Sequence, residues 1–252
     1  MMQFKILKKI IGILGFKLID KNLIKNNDLL SKNLLYSLEN ILESLFENNK
    51  VSQLIQIGAN DGKRFDAVNK FIIKYSPYSI LVEPIEEYFL QLKQTYKNQK
   101  NVEFENKAIS VNDQINYLYK VKDSKINQYD EHVKGITSFD KNHLKKHGVQ
   151  SGHIKREEVK SISISNLINK YENRVDLLII DAEGYDGDIV IDLLKKSNAR
   201  PIIIFEYIHI KFNTFKILID LLSEKNYLFF KINENVVCFP REKSPKLILN
   251  IS

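Results

Sequence analysis

A single cysteine, Cys238, stands in the 252 residues, which excludes an intramolecular disulfide and fits a reducing compartment. It lies in the apolar run VVCFP, where a thiol is expected to be a buried structural residue rather than a nucleophile. The five histidines, at positions 132, 143, 147, 153 and 209, form no HExxH pattern and have no CxxC pair to join, so no metal site is expected. No stretch of about 18 or more uncharged apolar residues exists, and a membrane-spanning helix is not expected. The apolar part of the N-terminus, Ile10 to Phe16, is short for a secretory core and no small-residue cleavage site follows it. The chain is therefore expected to keep its N-terminus and to be cytoplasmic. A complete G-x-G-x-x-G fingerprint is also missing, which weakens dinucleotide binding.

The charge that is present is lopsided: 38 Lys and Arg against 31 Asp and Glu give a net +7. An excess of this kind serves solubility and also suits anionic partners, phosphates or acidic bilayers. Phe4, Leu7, Ile11, Leu14 and Leu18 recur at helical spacing beside Lys5, Lys8, Lys9 and Lys17. The stripe is narrow and broken by Gly12 and Gly15, which suits a helix docked on the domain or on a second subunit better than one at the inner face of a membrane. Leu34 to Asn48 reads as a packing helix. Residues 1–50 are expected to form an N-terminal helical extension and 51–252 one domain.

From Val51 onward strand and helix patterns alternate. Strands are expected at 51–57, 79–83 and 102–106, with helices near 64–75 and 85–97 between them. Ile115 to Val121 adds a strand. After a weakly patterned stretch at 122–160, expected to be a lid or specificity insert, come helix 164–171, strand 175–180, helix 186–196, strand 201–207 and helix 212–224. A closing pair near 227–231 and 235–239 has so short a link that its strands must be antiparallel. Short-loop alternation implies an α/β fold on a mostly parallel sheet.

Ligands of such sheets bind beyond the carboxyl ends of the strands. The first strand runs into Gly58, Ala59, Asn60, Asp61 and Gly62, where glycines let backbone approach a ligand. Asp61 would repel pyrophosphate but attract an ammonium or sulfonium, which favours S-adenosylmethionine. Glu83 ends the second strand, where a carboxylate can accept from both ribose hydroxyls, with Pro84 and Ile85 as an apolar shelf for adenine. Asn106, Lys107 and Ala108 fall where the adenine edge should lie. The fourth strand delivers Asp181 and Glu183, the fifth Glu206 and His209. Glu183 could instead cap the following helix. Asp181, Glu206 and His209 are the candidates for taking a proton from an acceptor.

Taken together, IGANDG, LVEP, NKAIS, VDLLIIDAEGYD, PIIIFE and the terminal hairpin resemble, in content and order, the FkbM-type family of S-adenosylmethionine-dependent methyltransferases. The resemblance implies a class I methyltransferase fold, a Rossmann-like three-layer sandwich with a seven-stranded sheet whose last strand is antiparallel. It also implies O-methylation of a hydroxylated small molecule, sugar or glycan. By position it assigns Gly58, Asn60, Asp61 and Gly62 to the methionine part, Glu83 to the ribose and Asn106 to Ala108 to adenine. Asp181 and Glu183 match the family's Asp-x-Glu-Gly motif, with Ala182 where Val is usual, and Thr137, Ser138 and Phe139 are the only counterparts within 122–160. Two other readings stay open, a methyltransferase acting on nucleic acid or protein and a non-catalytic S-adenosylmethionine-binding subunit. Nucleic acid is disfavoured by the lack of an N-P-P-Y-like segment.

Overall fold

Runs of four to seven residues rich in Ile, Leu and Val build most of the strands in the computed structural model, which describes residues 37–64, 66–111, 114–172 and 174–243. The segment carrying the expected amphipathic helix at 4–18 lies outside the described residues. In chain order the strands are β1 (Gln53–Ile57), β2 (Tyr78–Val82), β3 (Val102–Glu105), β4 (Ala108–Ile109), β5 (Ile115–Val121), β6 (Ile154–Ile162), β7 (Leu177–Ile180), β8 (Ile202–Glu206), β9 (Tyr227–Ile232) and β10 (Asn235–Pro240). Seven of them form one sheet in the order β3-β2-β1-β7-β8-β10-β9. The first five run parallel, and β10 is antiparallel to both β8 and β9. This is the seven-stranded α/β architecture expected, with its antiparallel last strand.

Both faces of the sheet are covered. Ile55, Ile80, Leu178, Ile203 and Phe205 pack with Ile164, Leu167, Ile189, Leu193, Leu218 and Leu222 from the helices Ile164–Lys170, Asp186–Lys196 and Phe212–Glu224. Their neighbours in sequence, Leu54, Leu81, Leu177 and Ile204, are equally inaccessible, because alternate residues of a strand face opposite sides. Cys238 is buried within β10, as a structural thiol should be.

Two element boundaries differ from the sequence reading, and contacts group Leu42–Ser252 as one unit. Of residues 1–41 only 37–41 are described, carrying the start of the helix Leu38–Glu47. Leu42, Leu45 and Phe46 belong to the larger unit, where Phe46 stacks on Phe71 at 5.3 Å. The helix expected near 64–75 begins only at Asn69, since Asp66 accepts from the N–H groups of Val68 and Asn69 and caps it there. The insert at 122–160 is shorter than expected because Ile154–Ile162 is a strand, pairing antiparallel with β5 and parallel with β4 in a second sheet. The rest of the insert is ordered around Val133, Ile136, Leu144 and Val149, with Ser138 bridged to Tyr119 of β5.

The sheet order places a switch point between β1 and β7, where successive connections leave in opposite directions. Gly58 sits there with φ +77°, and a Cβ on it would lie 1.9 Å from the main-chain oxygen of Asp181. The neighbouring strand end by itself requires a glycine here. Gly58→Ala is expected to destabilise the domain by about 3 kcal/mol or more, as left-handed strain adds to a backbone overlap that only strand movement relieves. Equilibrium unfolding in urea measures it, and a loss under about 1 kcal/mol contradicts this packing.

Candidate functional site

A cavity of about 360 Å³ opens at the carboxyl edge of β1, β2, β7 and β8, within the size range of small-molecule sites. Of the residues singled out from sequence, Gly58, Ala59, Asn60, Glu83, Pro84, Lys107, Ala108, Asp181, Glu183, Glu206 and His209 line it. Asp61, Gly62, Asn106 and Ser138 do not.

Glu83 forms the fixed side. Its carboxylate accepts from the Asn60 N–H at 2.9 Å on one oxygen and from the Ile85 N–H at 2.8 Å on the other, which ties the loop after β1 to the end of β2. Asn60 reaches this geometry with φ +47°, a region that Asn tolerates better than most residues. Burial pushes the Glu83 carboxyl up to about 7, against the opposing pull of those two N–H groups and of the Lys120 charge. Asn106 works from outside the cavity, its side-chain amide donating to the main-chain oxygens of Glu83 and Pro84.

Asp61 is engaged within its own loop. Its carboxylate accepts from the N–H groups of Lys63 and Arg64 and from the Arg64 guanidinium at 2.6 Å. Burial alone would raise its pKa, but these donors hold it below the usual carboxylate range. The negative charge expected to attract a sulfonium is thus neutralised locally. Gly62 is needed by the helix Glu86–Thr95, since a Cβ there would lie 2.6 Å from the Tyr96 ring and 2.7 Å from Leu92.

The opposite side is acidic. Asp181 lines the cavity with its side chain exposed at the opening, yet the protein packed around its carboxyl, with the charges of Glu183 and Asp66, pushes that group up to about 7. Glu206 rises to about 8 through burial and the charges of Asp181, Glu183 and Glu234. Glu183 does not cap the next helix. The helix Asp186–Lys196 has no side-chain cap at Tyr185, and the wholly buried Asp186 instead accepts from the N–H groups of Ala182 and Gly184 in the turn before it. Glu183 is free to turn inward at φ +49°, its main-chain oxygen held by the Ser138 hydroxyl at 2.9 Å. Its carboxylate meets His143 Nε2 at 2.8 Å. His209 lies 3.7 Å from Glu206, and its pKa is lowered by burial and by the His143 charge.

Two acceptors are left over. Gln56 Oε1 and Asp66 Oδ2 are buried without a hydrogen-bond partner among the described residues, and both side chains line the cavity. A buried acceptor left unpaired costs about 1–3 kcal/mol, so a donor-bearing ligand is favoured there. Neither residue was singled out from sequence, although Gln56 is the one polar side chain between the apolar residues of β1. Also missed were His132 and Glu234 of the lining and the pair His143 and His147, whose four-residue spacing was the available signal, whereas Thr137 and Phe139, matched from sequence, do line it.

A sequence family described as the methyltransferase FkbM domain matches residues 56–229. No curated protein matches. Among solved structures, the chain is similar to a methyltransferase FkbM from Methylobacillus flagellatus KT, with 10% identity and a TM-score of 0.46, over 75% of this chain and 44% of that one. It therefore spans under half the length of that relative. An O-methyltransferase from Bacillus cereus in complex with SAH aligns at 10% identity and a TM-score of 0.43, over 92% of this chain and 96% of that one. An RNA methyltransferase from Salinibacter ruber in complex with S-adenosyl-L-homocysteine aligns at 9% identity and 0.41, over 84% and 97%.

The raised acids set a pH dependence. A carboxyl whose folded pKa exceeds its unfolded one binds more protons in the native state, so stability falls as pH rises through that interval. For Glu83, Asp181 and Glu206 the interval runs from the ordinary carboxylate range to about 7 or 8. His147 and His209, with lowered values, act in the opposite sense but below their ordinary 6.5, which leaves the acids alone above it. The thermal midpoint of the ligand-free chain should therefore fall between about pH 6.5 and 8, and Glu206→Gln should raise it at pH 8 by about 2–4 °C. An unchanged midpoint in the variant contradicts this electrostatic account.

Proposed function

The chain belongs to the FkbM methyltransferase domain family, and from that premise we propose that it moves the methyl group of S-adenosylmethionine onto a hydroxyl oxygen of a sugar, glycan or natural product. One observation carries the reading. A single cavity at the carboxyl edge of the sheet holds, on one side, a buried carboxylate fixed by two backbone N–H groups and, on the other, Asp181 with its proton affinity near neutrality.

The donor supplies a methyl group made electrophilic by a sulfonium. The residues present fit the rest of it. Glu83 keeps lone pairs beyond those engaged by Asn60 and Ile85, which can accept the two ribose hydroxyls. Pro84, Ala108, Ile109 and Leu118 offer apolar surface to a purine, with Lys107 at its edge. The orphaned Gln56 Oε1 and Asp66 Oδ2 suit the hydrogens of an α-ammonium.

Transfer to a hydroxyl needs in-line approach and somewhere for the hydroxyl proton to go. Asp181 is the residue assigned to receive it, since a carboxylate with pKa near the working pH both accepts and releases a proton. The lining holds the acids Asp66, Glu83, Asp181, Glu183, Glu206 and Glu234 against the cations Arg64 and Lys107. Such a lining repels a phosphodiester near the reacting centre and supports a neutral hydroxylated acceptor over nucleic acid. Gly135, Thr137 and Phe139, from the insert after β5, border the same space and are proposed to shape the acceptor side.

Two measurements test this. Glu83→Ala should weaken S-adenosylhomocysteine binding in calorimetric titration by about 1–3 kcal/mol, the scale of lost hydrogen bonds to a charged group. Unchanged affinity removes Glu83 from the site. With methyl-labelled S-adenosylmethionine and a panel of saccharides, label should enter a base-stable methyl ether. Label released by mild alkali as methanol would mark carboxyl methylation and contradict the hydroxyl acceptor.

A further inference from the structure

Two segments that are remote in sequence bring three imidazoles together beside the cavity. His143 lies in the helix Lys141–Lys146 and His147 directly follows it, four residues on, so the two share a helix face. His209 comes from the turn after β8. The ring centroids of His143 and His209 lie 4.5 Å apart, those of His143 and His147 4.7 Å, and those of His147 and His209 5.2 Å. One ring nitrogen from each lies within 4.8 Å of the other two. We propose that His143, His147 and His209 bind a divalent transition-metal ion of the zinc type at the edge of the cavity.

The geometry asks for little adjustment. Tetrahedral Zn–N bonds of about 2.0–2.1 Å set ligand nitrogens about 3.3 Å apart, so the rings need to close by about 1.5 Å at most. Rotation of side chains on a short helix and a turn supplies that. Outer carboxylates are already in place. Glu183 bonds His143 Nε2 at 2.8 Å, and a proton held there leaves the Nδ1 lone pair to a metal, while Glu206 lies 3.7 Å from His209. The two turns that carry Glu183 and His209 abut so closely that a Cβ on Gly184 would lie 3.2 Å from the His209 main-chain oxygen. Three nitrogen ligands select zinc, cobalt, nickel or copper, whereas magnesium and calcium require oxygen.

His209 and Glu183 line the cavity, so a three-histidine ion keeps a fourth position on the acceptor side. Its role rests on the methyl-transfer reading: coordination lowers the pKa of the acceptor hydroxyl. As the O–H bond breaks its proton passes to Asp181, the new C–O bond forms to the methyl carbon, and the C–S bond breaks to leave a neutral thioether. His209 is then a ligand rather than the proton acceptor.

The test uses the full chain purified without a histidine tag, stripped with a chelator and dialysed against zinc or cobalt, with bound metal measured by plasma mass spectrometry. About one equivalent should bind, resist excess magnesium, and give the intense visible bands of tetrahedral cobalt. His147→Ala and His209→Ala should each weaken binding by about 10-fold or more. Cooperative thermal unfolding of both metal-free variants, with midpoints near that of the metal-free wild-type chain, shows that they are folded. Failure of the wild-type chain to bind either metal, or unchanged binding in both variants, overturns the proposal. Metal binding without any S-adenosylhomocysteine binding would uphold the site while removing the methyl-transfer reading.

Discussion

Everything in the site depends on how closely the ends of β1 and β7 approach. The main chain of Asp181 passes where a side chain at position 58 would be, so the loops that follow these two strands are pressed together at the switch point. Sheet pairing of Ile57 with both Val82 and Ile180 then sets Glu83 on one side and Asp181 on the other. Strands buried on both faces have little freedom to slide, and the side chains at their ends inherit that rigidity. Here the packing of the core and the geometry of the chemistry are one constraint.

The second organising feature is charge that the protein does not neutralise by itself. Two buried charges are matched: Lys120, almost wholly inaccessible, is surrounded by Glu87, Asp123 and Glu157, and Asp61 is paired with Arg64. Around the cavity burial first, with the repulsion of neighbouring acids added to it, instead raises the proton affinities of Glu83, Asp181 and Glu206. Mutual repulsion of this kind is relieved by a cation. A sulfonium with its ammonium, or a metal ion beside the histidines, lowers those pKa values on binding and couples ligation to proton release. The arrangement stores destabilisation in the free protein that a ligand recovers as affinity.

Much of the scaffold was legible because it obeys simple periodicity. Strands β1, β2, β7 and β8 read as apolar runs since both faces are covered, and the short polar link at Asn233 to Asn235 dictated the antiparallel pair β9 and β10. Strand β6 did not read as one, because KREEVKS carries charge on most positions. Its charges are satisfied across the ladder and beyond it, with Lys155 on Asp123 at 2.7 Å and Arg156 over the Tyr117 ring at 4.0 Å. The pairing of Asp61 was hidden for a related reason. Sequence shows a charge but not the partner three residues on that absorbs it. The histidines were harder still: His143 and His147 are a visible pair, yet the third imidazole is brought to them only by the return of β8 to the same sheet edge. Gln56 looked like an interruption in a strand, and its meaning depends on the unpaired Asp66 oxygen in the same lining.

The central claim is that the cavity between Glu83 and Asp181 holds S-adenosylmethionine, and thermal unfolding of the purified chain with S-adenosylhomocysteine or with NAD tests it most directly. A ligand of the native state present at about one hundred times its Kd adds about 2.7 kcal/mol, or roughly 5–10 °C in a chain of this size. The account predicts such a rise with S-adenosylhomocysteine and none with NAD. A rise with NAD alone, or an unmoved midpoint with S-adenosylhomocysteine at millimolar concentration, would contradict it.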